Sequence, residues 1–255
     1  MNTSELINKM GVVVLAAGQG TRLGCQNDPK VMLNIGGRPI VSYIVDTLKK
    51  VGFTDRQICL VIGFQKERVI DHFGGQVIYA YQEEQLGTAH AAYTGMKVLP
   101  ESAEHVLVLN GDDSAFYRPS TISSLMEKHI ENRSAGTVLS TEIDPDDFGY
   151  GRIVRKEDGI VELIEKEYLT EDTKNINETS TGTFCFKRNW YTAMFPNMPK
   201  LDRLGEYGLP SAFTMAQKEG LSVQIVKLHD KREWFGINTP EELKEADDRK
   251  SIGKF

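Results

Sequence analysis

The apolar positions of the chain follow two alternating periods through its first half. Val12 to Ala17 form an uninterrupted apolar run. Apolar residues without alternation suit a parallel central strand covered on both faces. After a tight turn at Gly36-Gly37, the residues Ile40, Val41, Ile44, Val45, Leu48 and Val51 recur at helical spacing. Pro39 suits the first helical position and Gly52 the stop. Ile58 to Ile62 predicts a second strand, Lys66 to Phe73 a short helix and Val77 to Tyr81 a third strand. Gln82 to Gly87 reads as a loop, and Thr88 as the cap of a helix running to about Leu99. Val106 to Leu109 predicts a fourth strand ending in Asn110-Gly111-Asp112-Asp113. This alternation predicts an α/β fold with a Rossmann-like, doubly wound, mostly parallel sheet.

A helix is expected from about Pro119 to Glu131 and a strand over Thr137 to Thr141. From Asp144 the texture changes. Phe148 to Arg152 reads as a loop, Ile153 to Glu165 as a hairpin around Glu157-Asp158-Gly159, and Thr183 to Phe186 as a strand. A helix over Ser211 to Glu219, a strand over Val223 to Val226 and a charged C-terminal helix capped by Thr239 with Pro240 in its first turn complete the pattern. No repeat, low-complexity tract or flexible linker divides the chain. Residues 1–255 therefore read as a single domain with two halves, about 1–115 and a β-rich one over about 140–238, followed by the helix at 239–255.

Composition narrows the class. With 255 residues and 40% hydrophobic content, the chain can bury a full core. A formal charge of −6 and a pI near 5.5 argue against a general nucleic-acid surface. Cys25, Cys59 and Cys185 are widely spaced and odd in number, with no C-x-x-C pair, which fits a reduced setting. The polar stretch from Asn2 to Lys9 and the short apolar run after it make neither a membrane span nor a good signal peptide. A cytoplasmic protein without nucleic-acid or membrane partners is expected, as a monomer or small homo-oligomer.

The candidate chemistry begins where the first strand ends, at Gly18-Gln19-Gly20-Thr21-Arg22. Two glycines let the backbone turn sharply and bring bare N–H groups toward an anion. Arg22 and Lys30 place two cations nearby. The pattern is not a P-loop, since no G-x-x-x-x-G-K-[ST] is present, nor a dinucleotide fingerprint, since Leu23 stands where a third small residue is needed. A bare G-x-G reads equally as an ordinary strand-to-loop turn. What strengthens it is company. The polar loops Gly18 to Arg22, Gln82 to Thr88 and Gly111 to Asp113 all follow strands, where ligands of open α/β sheets collect.

L-A-A-G-Q-G-T-R-L with the later Pro29-Lys30 resembles the signature of sugar-nucleotide pyrophosphorylases, nucleotidyltransferases with a GT-A-like fold. The resemblance is closest to the N-acetylglucosamine-1-phosphate uridylyltransferase domain. It continues, in order, through Gln82 to His90, Gly111-Asp112, Gly149 to Ile153, Glu165-Lys166 and Gly236-Ile237-Asn238. The family reaction it implies is transfer of a nucleotidyl group, here UMP from UTP, to a sugar 1-phosphate with release of pyrophosphate. By the same resemblance, Ala17, Gly18 and Gly20 would hold base and phosphates, and Gln82, Gly87 and Thr88 the uracil. Arg22 and Lys30 would neutralise the triphosphate. Asp112 and Asn238 match the family's Mg²⁺ ligands, and Gly151, Glu165 and the Ser180 to Gly182 segment fall where the sugar is held. The acetyltransferase domain fused to many relatives is not expected, because the chain ends at Phe255.

Three segments depart from the family pattern. Ser180 replaces an Asn in E-x-N-T-G, Asp113-Ser114 alters G-D-x-P, and Gly208-Leu209-Pro210-Ser211 loses a Tyr, a Thr and an Asp from G-E-Y-Y-[IL]-T-D. Lost hydrogen-bond partners at a polar site can change selectivity by up to roughly 10⁴. The acceptor therefore stays open between N-acetylglucosamine 1-phosphate and another hexose 1-phosphate. Two other readings stand beside this one: a metal-dependent glycosyltransferase using Asp112-Asp113, and a catalytically weak sugar-nucleotide-binding protein.

Overall fold

The computed structural model describes residues 3–20, 23, 28–147, 149–157 and 159–253. Helix α1 (Thr3–Asn8) leads into β1 (Met10–Ala16), which is buried along nearly its whole length, as its uninterrupted apolar run requires. A short antiparallel pair follows, β2 (Asn34–Ile35) with β3 (Arg38–Pro39). Pro39 ends that pair and precedes α2 (Ile40–Val51) by one residue, rather than opening the helix. Gly52 caps α2 with a φ of 118°, the left-handed stop expected of it.

Next come β4 (Ile58–Ile62), α3 (Lys66–Phe73), β5 (Ile78–Tyr81), α4 (Thr88–Val98), β6 (His105–Asn110), α5 (Pro119–Glu131) and β7 (Gly136–Glu142). The second half adds the hairpin β8 (Arg152–Arg155) and β9 (Val161–Ile164), then β10 (Glu178–Lys187), α6 (Arg188–Met194), α7 (Leu209–Lys218), β11 (Val223–Lys227) and α8 (Pro240–Ser251). The sequence pattern gives no warning of α1 and α6, both under two turns long. Among the described residues, no helix is long and apolar enough to cross a membrane.

The central sheet has the order β11-β7-β10-β6-β1-β4-β5. It is mostly parallel, and β10 alone runs against its neighbours. Successive residues of the inner strands point to opposite faces. Val12, Val14, Leu60, Leu107 and Leu109 meet the apolar faces of α2 and α5. Val13, Val61, Val106 and Val108 meet α4, α6 and α7. Each such burial contributes roughly 1.5–3 kcal/mol, so two opposed cores hold the sheet rigid. Cys59 and Cys185 lie inside strands, and burial pushes the Cys59 thiol up to about 12, so neither is poised to react. Cys25 lies outside the described residues.

β10 is longer than the expected Thr183 to Phe186 and carries second-half residues into the middle of the sheet. It pairs with β6 through Phe184 to Lys187 and with β7 through Glu178 to Phe186, with a register shift between Ser180 and Phe184. That irregularity falls where the strand reaches the ligand end of the sheet, the usual place for a bulge that re-aims side chains.

A buried polar chain ties β6, α5 and β7 together. His129 Nε2 lies 3.0 Å from His105 Nδ1, and His129 Nδ1 lies 2.8 Å from Thr137 Oγ1. Burial, with His105 beside it, lowers His129 from 6.5 to about 3. The unfolded chain therefore binds a proton there between about pH 6.5 and 3 that the folded chain refuses, and stability falls as pH drops through that window. From pH 7 to pH 5 this one group should cost about 2 kcal/mol. Urea midpoints at the two pH values should differ less in His129→Gln than in the parent; an equal difference would remove His129 as the cause.

Candidate active site

The site lies outside the carboxyl ends of β1, β6 and β5, where sheet geometry leaves a crevice. At the end of β1, Ala17 is buried, Gly18 and Gln19 are exposed, and Gly20 turns the chain with a φ of 69°. The Ala17 carbonyl accepts from Gln85 Nε2 at 2.8 Å, which stitches this loop to the one after β5. Between them lies a cleft of about 230 Å³ lined by Ala17, Gly18, Lys30, Gln82, Gln85, Gly87, Thr88 and Asp112, among others. Six of the expected nucleotide and charge positions thus share one wall. Arg22 lies outside the described residues.

Lys30 stands at the start of a short 3₁₀ turn after Pro29, and Asp112 just beyond the end of β6. The Lys30 ammonium donates to Asp112 Oδ2 and, at 3.0 Å, to Asn238 Oδ1. Two oxygen donors separated by more than a hundred residues therefore converge on one cation position. Asp113 lies behind them. Its Oδ2 accepts from Asn110 Nδ2 at 3.0 Å, while its Oδ1 is buried without a hydrogen-bond partner. Burial first, and the neighbouring Asp112 second, raise the Asp113 carboxyl well above its usual range. An amide oxygen, a carboxylate and an orphaned buried carboxyl oxygen are hard donors of the kind Mg²⁺ takes. The residues fit such an ion.

Gln82 is buried, and its Nε2 donates to the Gly87 carbonyl at 3.1 Å and lies 3.2 Å from His90 Nδ1. Both amide N–H groups are thus engaged within the protein, leaving Oε1 to meet a ligand. Thr88 opens α4 but does not cap it; its Oγ1 accepts instead from the Leu209 N–H, at 3.1 Å, at the start of α7. The backbone reinforces that link, since Ala89 N donates to Tyr207 O and Tyr207 N to Leu86 O, each at 2.8 Å. Gly87 makes the approach possible. Its φ is 97°, and a Cβ there would lie 2.6 Å from the Tyr207 carbonyl oxygen.

Beyond Lys30 and Asp112 opens a larger cavity of about 440 Å³, lined by Tyr150, Gly151, Glu165, Ser180, Gly208 and Asn238, among others. Burial, then Glu167, raise the Glu165 carboxyl above its usual range. Ser180 Oγ accepts from the Gly182 N–H at 3.1 Å, so the hydroxyl in the expected Asn position turns back onto its own backbone. Arg152 is 1% exposed and spends its guanidinium on five carbonyls, those of Pro145, Asp147, Tyr150, Gly151 and Lys174. Sequence reading missed Gln85 as a tie between loops and Arg152 as the pin of the loop from Pro145 to Gly151. An Arg leading straight into the apolar Ile153-Val154 was the available signal.

Comparisons with known proteins show what the chain is similar to. The model of the MobA-like NTP transferase domain matches residues 12–178. Bifunctional protein GlmU of Heliobacterium modesticaldum is 37% identical over 242 residues, covering 94% of this chain and 52% of that protein. GlmU of Halalkalibacterium halodurans is 36% identical over 236 residues, covering 92% and 51%. The chain spans about half the length of these curated relatives. A solved Bacillus anthracis chain described as a glucose-1-phosphate thymidylyltransferase superposes with a TM-score of 0.77 at 20% identity over 95% of each chain, a likeness of fold.

The Gly87 approach gives a direct check. Gly87→Ala must both adopt a left-handed φ and displace the Tyr207 backbone, a cost of order 1–3 kcal/mol for the strain alone. The thermal midpoint should fall, and nucleotide affinity measured by calorimetry should fall with it. An unchanged midpoint would mean the two loops are not held together here.

Proposed function

The chain belongs to the MobA-like NTP transferase domain family, and on that premise we propose that it transfers UMP from UTP to a sugar 1-phosphate, releasing pyrophosphate. The observation that carries the proposal is the convergence of Lys30, Asp112 and Asn238 where the smaller cleft meets a second, larger cavity. A phosphate oxygen of the acceptor attacks the α-phosphorus, the bond to the β-phosphate breaks, and the pyrophosphate leaves with its electron pair. The attacking oxygen is already anionic, so no general base is required. The protein's task is positioning and charge neutralisation.

Lys30 and Arg22 supply fixed positive charge for the triphosphate, Arg22 through a planar fork suited to phosphate oxygens. Asp112 and Asn238 would hold Mg²⁺, with Asp113 Oδ1 behind them. When bound, that ion supplies charge neutralisation on the phosphate oxygens. Backbone N–H groups around Ala17, Gly18 and Gly20 face the phosphates. Gln82, with Oε1 alone free, suits a base that offers a ring N–H, as uracil and thymine do; cytosine presents an acceptor there. Gly87 and Thr88 bound the same cleft. In the acceptor cavity, Glu165 accepts from sugar hydroxyls beside Gly151 and Ser180. The acceptor is N-acetylglucosamine 1-phosphate or another hexose 1-phosphate, and the withdrawn Ser180 hydroxyl favours one that needs no long amide partner at that point.

A panel of nucleoside triphosphates and sugar 1-phosphates with Mg²⁺, read by pyrophosphate release, tests the reaction. Release with UTP and a hexose 1-phosphate is expected. No pyrophosphate with any pair would overturn the proposal, and turnover with CTP alone would overturn the role given to Gln82. Asp112→Ala and Arg22→Ala should each lower turnover by at least about 10²-fold, the scale of losing one transition-state charge contact. Near-parental rates would take those residues out of the mechanism.

A further inference from the structure

An asparagine is a two-faced ligand. Its Oδ1 attracts a cation and its Nδ2 repels one, and half a turn about the terminal side-chain bond exchanges them. For Asn238 to serve the proposed ion, something must hold its oxygen toward the site. The backbone does not do this, since the Asn238 N–H donates to Glu242 Oε2 at 2.5 Å in the capping box of α8, which fixes the main chain and leaves the amide free to turn.

The Tyr150 side chain lies on the other side of that amide. Asn238 Oδ1 faces Lys30 at 3.0 Å, and its Nδ2 lies over Gly236, as the Tyr150 hydroxyl does. Both groups converge over the bare backbone of Gly236: a Cβ there would lie 2.3 Å from Tyr150 Oη and 3.0 Å from Asn238 Nδ2. Gly236 therefore keeps open the space in which the two meet. Tyr150 is itself fixed at both ends. Its ring meets Trp234 edge-on at 4.8 Å between centroids, and its carbonyl accepts from Arg152 Nη1 at 2.6 Å.

We infer that Tyr150 is a positioning residue for the cation site: its hydroxyl engages the Nδ2 end of Asn238 and so holds Oδ1 toward the ion. The inference rests on the reading of Asp112 and Asn238 as cation ligands. It also joins the two substrate regions, because Tyr150 belongs to the loop that lines the acceptor cavity. Partners that orient a metal ligand typically change affinity by roughly 10–100-fold when removed.

The test uses Mn²⁺ alone, titrated into the protein and followed by electron paramagnetic resonance. Tyr150→Phe keeps the ring against Trp234 and removes only the hydroxyl. It should weaken Mn²⁺ binding about 10-fold. Gly236→Ala, which crowds the same hydroxyl, should weaken it as well. The deciding comparison is a double-mutant cycle with Asn238→Asp, whose two oxygens need no such orientation. In that background Tyr150→Phe should change Mn²⁺ affinity by less than about 2-fold. Equal losses in both backgrounds would mean that Tyr150 acts through general structure and would overturn the inference. Tight parental binding unmoved by Tyr150→Phe would overturn it too, while leaving the metal reading intact. Absence of Mn²⁺ binding by the parent, or binding untouched by Asp112→Ala, would overturn the metal reading and this inference with it.

Discussion

The arrangement depends on one congested point of charge, where the Lys30 ammonium is held between Asp112 and Asn238. Bringing these groups out of water is costly unless each meets its complement with good geometry. The three come from the loop after β1, the end of β6 and the turn before α8. No one element could set their spacing. The sheet fixes the backbone of Asp112, the 3₁₀ turn with its buried Val31 that of Lys30, and the capping box of Thr239 and Glu242 that of Asn238. The two opposed apolar cores matter to function through this geometry, because they hold strand ends where like and unlike charges must sit together.

Among the described residues, carboxyl groups outnumber cations around that point. Asp113 stands directly behind Asp112 with one oxygen unanswered, and Glu165 faces the adjoining cavity with its carboxyl raised by burial. Arg152, which lines the same cavity, is committed elsewhere, since its guanidinium donates to main-chain carbonyls. Such a basin is poorly matched to a triphosphate until further positive charge enters. Its design is therefore that of a site completed by its ligands, with electrostatics set in advance of binding.

Much of this was legible in the chain because period and punctuation agree in the first half. The run at Val12 to Ala17, the helical spacing after Pro39 and the Gly52 stop each encode their element locally. So does Thr239-Pro240 before α8. The second half was less legible for physical reasons. β10 carries Thr179, Thr181 and Thr183 in buried positions, so its apolar signal begins only near Phe184 and understates its length. Short helices such as α6 hold too few residues to show a period. At the site, motif order brought Lys30, Asp112 and Asn238 together, whereas the true use of Thr88 could not be read. Its hydroxyl serves Leu209, 121 positions away, and nothing local distinguishes that bond from a cap.

The placement of β10 has a consequence for how the chain is made. The strand between β6 and β7 is supplied by residues 178–187, although β7 ends at Glu142. During synthesis, β6 and β7 must leave the ribosome and wait, each with an open hydrogen-bonding edge, for some forty further residues. The hairpin β8–β9 and the loop around Tyr150 pass through that interval, so the larger cavity cannot form before the sheet is closed behind it. A nascent chain halted short of β10 would carry β6 with one raw edge and β7 with both edges bare. This makes the interval between β7 and β10 the stretch in which the protein most needs shelter from its own neighbours.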